Sequence, residues 1–328
     1  MDTESPLMLV EGLVSTIIPV HNRPLLLREA VVSVLAQTYR PVEIIIVDDG
    51  STDETGREVE ALSEAHSEVR AIHRKNGGPG AARETGRLAA QGEFIQYLDS
   101  DDILLPTKFA LQVSGLRRCG DCAVSYGKTR LYACGDRPTD LAWKRTGERI
   151  ATMFPSFLQS RWWGTSTPLY RRNVTDAAGP WTELWSEEDW EYDCRIARNG
   201  GRLHYCDAFV SDERILGHHL STSVSSDPEK LRSRARAHQL ILGHALAARI
   251  SHETSEMQHF ARELFLLARQ CGAGGLSQEA RALFELARQA SGSSRSRGID
   301  FLLYGACARL VGWRATGRLA LHLDRYRA

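Results

Sequence analysis

The 328-residue sequence predicts an α/β fold, a mostly parallel sheet with helices on both faces, followed by an α-helical extension. Three observations point there. The first hundred residues alternate β-branched apolar runs with amphipathic stretches of about 15 residues, the pattern of strands buried on both faces. Polar residues gather at the ends of those runs, where open parallel sheets bind their ligands. The last hundred residues turn to Ala, Leu and Arg, and the charge balance inverts with them. Residues 1–229 hold 25 Lys and Arg against 34 Asp and Glu, whereas residues 230–328 hold 16 against 7. A domain over 1–228 and a helical region over 229–328 are expected.

The elements follow in order. "VSTIIPV" (Val14–Val20) reads as a buried strand, and Pro24 opens a helix running to about Thr38. "VEIIIVDD" (Val42–Asp49) is a second strand, and Asp53 is a fair N-cap for a helix to about His66. "VRAIHR" is a third strand, "NGGPGAARETGRLAAQG" a glycine-rich turn entering a helix, and "EFIQYLD" a fourth strand. Beyond residue 120, "CAVSYG", "GTSTPLYRR" and "RLHYCDAFV" read as strands. "SEEDWEYDCRIARNG" reads as a helix with acids in its first turn and Gly200-Gly201 as its stop. "ELFLLARQ" (263–270) recurs as "ALFELARQ" (282–289), which predicts a helix pair rather than a solenoid.

Bulk features exclude several classes. No apolar run is long enough to span a bilayer, and the start "MDTESPLMLVEG" is acidic where a signal peptide is basic, so a cytosolic location is expected. Seven cysteines fit reduced thiols better than a disulfide framework. Cys119-Gly-Asp-Cys122 is the only tight pair, and a zinc or redox role for it lacks a second pair.

"GEFIQYLDSDDILLP" (Gly92–Pro106) ends an apolar strand on Asp99, Asp101 and Asp102. Carboxylates this close repel one another unless a cation sits among them. They point apart into water, or they hold a metal or a positive partner.

Four stretches, "STIIPVHNRPLLLREAVVSVLAQTY", "EIIIVDDGSTDET", "NGGPGAARETGRLAAQGEFIQYLDSDD" and "SEEDWEYDCRIARNG", together closely resemble glycosyltransferase family 2, the inverting transferases of the GT-A fold, over roughly residues 14–220. The resemblance implies a nucleotide-sugar donor, a UDP-sugar above all, bound at the strand ends. It implies that Asp49 accepts a hydrogen bond from the base, where an Asx-turn is the alternative, and that Pro19 and His21 line the same pocket. Arg83 matches the arginine that faces the diphosphate; the alternative is an ordinary surface helix arginine. Asp99-Ser100-Asp101 matches the DxD element, with Asp99 reaching the ribose and Asp101 holding Mn²⁺ or Mg²⁺. Asp102 fits a solvated helix cap better.

Inversion needs one base on the face opposite the leaving group, and the resemblance assigns it to Asp189, with Glu188 as its rival. His219, or its neighbour His218, matches a basic element closing over the metal. Trp162 or Trp163 either stacks on an acceptor sugar or is a core ring. Acceptors implied are a glycan, a lipid-linked oligosaccharide or a small glycoside, as in polysaccharide biosynthesis. A nucleotidyltransferase would carry a glycine-rich basic loop after strand one, where this chain has "PVHNRPLLL". A non-catalytic nucleotide-sugar-binding scaffold is the other rival.

In "FLLYGACARLVGWRATGRLALHLDRYRA", Leu303, Leu310, Trp313 and Ala320 share one helical face, and Arg314, Arg318 and Arg325 another. Such a helix packs in a core or a homo-oligomer, or lies on the inner face of a membrane. Nucleic acid is not expected, because no reader motif accompanies the arginines.

Overall fold

The computed structural model describes residues 9–133, 135–216, 227–296 and 298–325. The chain divides into two compact units. The first comprises Met1–Thr152, Trp162–Glu183 and Asn199–His219, and the second Met153–Arg161, Leu184–Arg198 and Leu220–Ala328. The second unit thus takes in two excursions from the first 228 residues as well as the helical C-terminal stretch.

In the first unit, strands β1 (Val10–Val20), β2 (Val42–Asp49), β3 (Val69–Arg74) and β4 (Gly92–Tyr97) run parallel in the order β3-β2-β1-β4. Helices α1 (Pro24–Leu35), α2 (Thr55–Ala65) and α3 (Pro79–Ala89) form the crossovers. Strand β1 is paired on both edges, so its Val14, Ile17 and Ile18 are wholly buried, and this is why "VSTIIPV" is apolar without alternation. Both α1 and α3 begin on a proline, whose missing N–H costs nothing in a first helical turn. Asp53 brackets the start of α2 by accepting from Thr55 N (2.9 Å). Helix α3 lies close on β1: a Cβ at Gly86 would meet Ile17 Cγ2 at 2.3 Å, so only glycine permits the approach.

Beyond β4 the sheet becomes mixed. Strand β5 (Ile103–Leu104) and helix α4 (Lys108–Arg118) precede β6 (Val124–Ala133), β7 (Leu169–Arg171), α5 (Arg172–Ala178) and β8 (Leu203–Ile215). The full order is β3-β2-β1-β4-β7-β6-β8-β5, with β7 antiparallel to β4 and β6, and β6 parallel to β8. The expected mostly parallel sheet with helices is present. The core includes Val14, Ile18, Leu27, Val31, Ile44, Ile46, Phe94 and Phe109, so α1 and α4 pack with the sheet.

The second unit is helical: α6 (Glu188–Arg198), α7 (Pro228–Ala247), α8 (Ser255–Ala273), α9 (Ser277–Arg295), α10 (Ile299–Val311) and α11 (Trp313–Arg325). The repeated octapeptides lie in α8 and α9, which pack together through Leu264, Phe265, Ala268, Leu283, Phe284 and Ala287. The C-terminal stretch is not one continuous amphipathic helix. Gly312 at φ 87° ends α10, and Trp313 turns into a cluster with Phe284 and Tyr304.

The expectation of uniformly reduced thiols is corrected here. Cys119 closes α4, and the following turn returns Cys122 N to Cys119 O (3.0 Å), bringing the two Cα atoms to 5.3 Å. The pair forms a disulfide, while Cys194, Cys206 and Cys271 are buried free thiols and Cys307 is exposed.

Lys108 is fully buried, its ammonium donating to Thr167 O (2.6 Å), and burial pushes its pKa down to about 7. Above that pH the unfolded chain binds a proton that the folded chain does not, up to the ordinary lysine value of 10.5. This group therefore makes stability rise with pH across the window, by about 1.4 kcal/mol per pH unit. Lys108→Met, with Gln112 still donating to Thr167 O, removes that slope from unfolding free energies measured by denaturant titration between pH 7 and pH 10.

Candidate active site

The carboxyl ends of β1, β2 and β4 bring most of the expected donor residues together. After β1 the chain runs through His21, Asn22 and Arg23 before Pro24 starts α1. Arg23 N donates to Thr55 Oγ1 (2.9 Å), and His21 Nδ1 lies 3.1 Å from Asp49 O. Pro19 sits in β1 opposite Val47 of β2.

At the end of β2 the paired aspartates do different work. Asp48 Oδ1 accepts from Ser51 N (3.0 Å) and Oδ2 lies 3.0 Å from His73 Nδ1. Burial alone would raise the Asp48 carboxyl, but the hydrogen bonds from Ser51 and His73 outweigh it and hold it below the usual carboxylate range. Asp49 reaches across to the loop after β3. Its Oδ1 accepts from Arg74 Nη1 (2.7 Å) and Gly77 N (3.0 Å), and its Oδ2 from Gly78 N (2.7 Å). The Asx-turn in "DDGSTD" is thus made by Asp48, whereas Asp49 ties down the glycine-rich loop, and a base N–H would share that carboxylate with three protein donors. Gly50, at φ 72°, permits this closeness, since a Cβ there would lie 2.7 Å from Asn76 N.

The acids after β4 carry guanidinium partners. Arg83, on the first turns of α3 and 4% exposed, donates to Asp99 Oδ1 (2.7 Å) and stacks over Trp181 (5.0 Å). It is not a surface helix arginine. Arg23 Nη1 donates to Asp101 Oδ2 at 2.5 Å. Burial raises the Asp101 carboxyl and the charge of Asp99 raises it further, with Arg23 opposing both. Ser100 between them is buried.

Asp102 is not a solvated helix cap: it is 5% exposed, and α4 starts only after Thr107. Its Oδ2 accepts from Ser166 Oγ (2.6 Å) and its Oδ1 from Arg214 N (3.3 Å). Burial drives its carboxyl well above the usual range, helped by the charges of Glu213, Asp99 and Asp101. The Arg214 side chain bonds Asp101 O and pairs with Glu29, and its Nη2 is buried without a partner among the described residues. Arg23, Arg74 and Arg214 were absent from the sequence-based site. The signal for them is indirect: clustered buried carboxylates require cations, and these three arginines stand at or beyond strand ends.

The remaining expectations fall elsewhere. Trp162 and Trp163 are fully buried and pack on Tyr126 (ring centroids 5.1 and 5.6 Å), so they are core rings and present no open face to an acceptor. His218 and His219 lie outside the described residues. Glu188 and Asp189 open α6 in the second unit. Asp189 is partly exposed, its Oδ2 accepting from Arg161 Nη1 (2.8 Å) and its Oδ1 from Trp190 N (2.7 Å), whereas Glu188 is 7% exposed. Arg161 Nε also donates to the buried Asp193 (2.8 Å). Glu187, at φ 62°, is tied to α7 through Arg234 and His238 (3.0 Å each). Burial would raise its carboxyl, but those two partners hold it below its ordinary value.

Among the described residues, Cys119, Asp121 and Cys122 form the one group of three side chains spaced for a metal. Their thiols are joined as a disulfide, so no thiolate is offered there. Asp99 and Asp101 offer oxygen donors alone, which suit Mg²⁺ or Mn²⁺.

Comparison with known proteins places this geometry. The family described as Glycosyl transferase family 2 matches residues 15–172. An uncharacterized glycosyltransferase of Rickettsia felis is 45% identical over 100 residues, 30% of this chain and 16% of that protein. Glycosyltransferase GlyG of Streptococcus pneumoniae is 43% identical over 93 residues, 28% of this chain and 31% of that protein. The chain spans less than a third of the length of these relatives. Two solved structures share the fold. S. aureus TarS 1–349 in complex with UDP-GlcNAc superposes at TM-score 0.69, 21% identity, covering 94% of this chain and 91% of that one. The mannosyltransferase PcManGT of Pyrobaculum calidifontis in complex with GDP-Man and Mn²⁺ gives 0.51 and 19%, covering 93% and 84%. The strand-end acids, with Arg23, Arg74 and Arg83, therefore lie within residues 15–172, the stretch of this chain that matches Glycosyl transferase family 2.

Proposed function

We propose that the protein is a glycosyltransferase that moves a hexosyl unit from a nucleotide-sugar, a UDP-sugar first, to a hydroxyl of a glycan, lipid-linked or small glycoside acceptor, with inversion. The observation that carries this reading is the cluster of Asp99, Asp101 and Asp102 with Arg23, Arg83 and Arg214 at the strand ends of a family 2 domain. The TarS and PcManGT structures were solved with UDP-GlcNAc and GDP-Man, which supports the donor class.

Arg83 sits near the start of α3, where a guanidinium and helix N–H groups both favour a diphosphate. The buried, unpartnered Nη2 of Arg214 is a further donor suited to a phosphate oxygen. Asp101, with Asp99, would hold a divalent ion: the Asp101 carboxyl is raised by burial and by the neighbouring Asp99 charge, and a cation would relieve both. Such an ion, when bound, stabilises negative charge on the departing nucleoside diphosphate. Pro19 and His21 are assigned to the base pocket beside Asp49, and Ser100 to the ribose side with Asp99.

Asp189 is assigned as the base taking the acceptor proton, ahead of Glu188, because it is the more exposed of the two. The Arg161 guanidinium fixes its orientation.

The reading is tested by nucleoside diphosphate release from a panel of UDP-, GDP- and dTDP-sugars with simple glycoside acceptors. Acceptor-dependent release is expected, with Asp189→Asn lowering kcat about 10²- to 10⁴-fold at little change in donor KM. Full turnover by Asp189→Asn would remove that residue from the chemistry, and no turnover of any donor would contradict the function. Arg161→Gln is expected to lower kcat at little change in donor KM, because Asp189 loses the partner that orients its carboxylate. An unchanged kcat would leave Arg161 a packing residue.

A further inference from the structure

Helix α10 carries apolar residues on two opposite sides, with Asp300 and Arg309 between them. One side, Phe301, Tyr304 and Ala308, is buried, with both rings against Phe265 and Phe284. The other side carries Ile299, Leu302, Leu303, Ala306 and Leu310, which at helical spacing fall within one arc of about 100°. That side is open: Ile299 is 75% exposed, Leu302 59%, Leu303 62% and Leu310 84%. An apolar helix face of this width is ordinarily buried.

Helix α11 packs beside α10 and exposes Arg314, Arg318 and His322 along one strip, with Ala315, Leu319 and Leu323 exposed next to it. Arg309 is exposed on α10 itself. The only exposed acid among the described residues of the two helices is Asp300, since Asp324 is half-buried and pairs with Arg269 (2.9 Å).

We infer that the open face of α10, with the basic strip of α11, is a docking surface for an anionic lipid bilayer. Apolar side chains beside cations match the boundary between acyl chains and negatively charged headgroups. Residues 230–328, with 16 Lys and Arg against 7 Asp and Glu, reinforce that match. The 13 residues of α10 extend only about 20 Å, short of a hydrocarbon core of about 30 Å. No described helix is long and apolar enough to cross a membrane, so the helix lies in the interface. A second copy is the poorer occupant, because self-association through this face would bring Arg309, Arg314 and Arg318 of two chains together.

The test is co-sedimentation of the full chain with vesicles of phosphatidylcholine, with and without about 30% phosphatidylglycerol. Light scattering of the free protein is run in parallel. The expected result is binding to the anionic vesicles and little to the neutral ones. Leu303→Glu with Leu310→Glu, both at open positions, and separately Arg314→Glu with Arg318→Glu, should each reduce partitioning roughly 10-fold or more at an unchanged melting temperature. Wild-type protein left in the supernatant with anionic vesicles overturns the inference. So does a solution dimer that Leu303→Glu with Leu310→Glu converts to monomer, which would make the face a contact between copies.

Discussion

Burial of the carboxylates at the end of β4, sharpened by their mutual repulsion, is the constraint around which the first unit is arranged. Asp99, Asp101 and Asp102 follow one another within four residues at the end of a buried strand, where each raises the cost of ionising the next. The fold answers with guanidinium groups on Asp101 and Asp99. Arg23 comes from the turn after β1 and Arg83 from the start of α3, while Arg214, at the end of β8, pairs with Glu29 and gives Asp102 its backbone N–H. Those are the segments that a doubly wound sheet delivers to one rim, so the topology and the charge balance solve the same problem. Asp102, deepest of the three, is supported by the Ser166 hydroxyl and the Arg214 amide.

Arg23 pairs with Asp101 and Arg83 with Asp99 in the protein as it stands, and on the proposed reading the same guanidinium groups would meet a diphosphate if a divalent ion engaged the carboxylates. The loop after β3 is braced in the same manner: Asp49 gathers Arg74 and the amides of Gly77 and Gly78, fixing the approach to α3 and hence Arg83. The first turn of α6 repeats the theme in the helical unit. Glu187 is held by Arg234 and His238, Glu191 by Arg195 and His244, and Asp189 by Arg161. Of these acids, Asp189 is the most exposed, at 28% of its side chain against 21% for Glu187 and 2% for Glu191.

Much of this was legible in the sequence because it rests on local chemistry. The four parallel strands announce themselves as continuous apolar runs, Pro24 and Pro79 mark helix starts, and the acids fall at the end of a strand. What was not legible depends on tertiary contact. Nothing in "PVHNRPLLL" says that Arg23 pairs with a residue 78 positions away, and nothing in "RWWGTS" says that Tyr126 buries both tryptophans. The Cys119–Cys122 bond depends on the turn that closes α4, and the break at Gly312 depends on its left-handed backbone. Composition favoured free thiols and one continuous helix at those two places.

The central claim is that the arginine-held acids at the end of β4 bind a nucleoside diphosphate through a metal. It is tested most directly by calorimetric titration of UDP, with GDP alongside, into wild-type protein and Asp101→Ala, in the presence and absence of Mn²⁺. The account predicts nucleotide binding that Mn²⁺ tightens by about 10-fold or more in the wild type, with that gain lost in Asp101→Ala. Equal binding by both proteins regardless of Mn²⁺, or no binding by either, would contradict it.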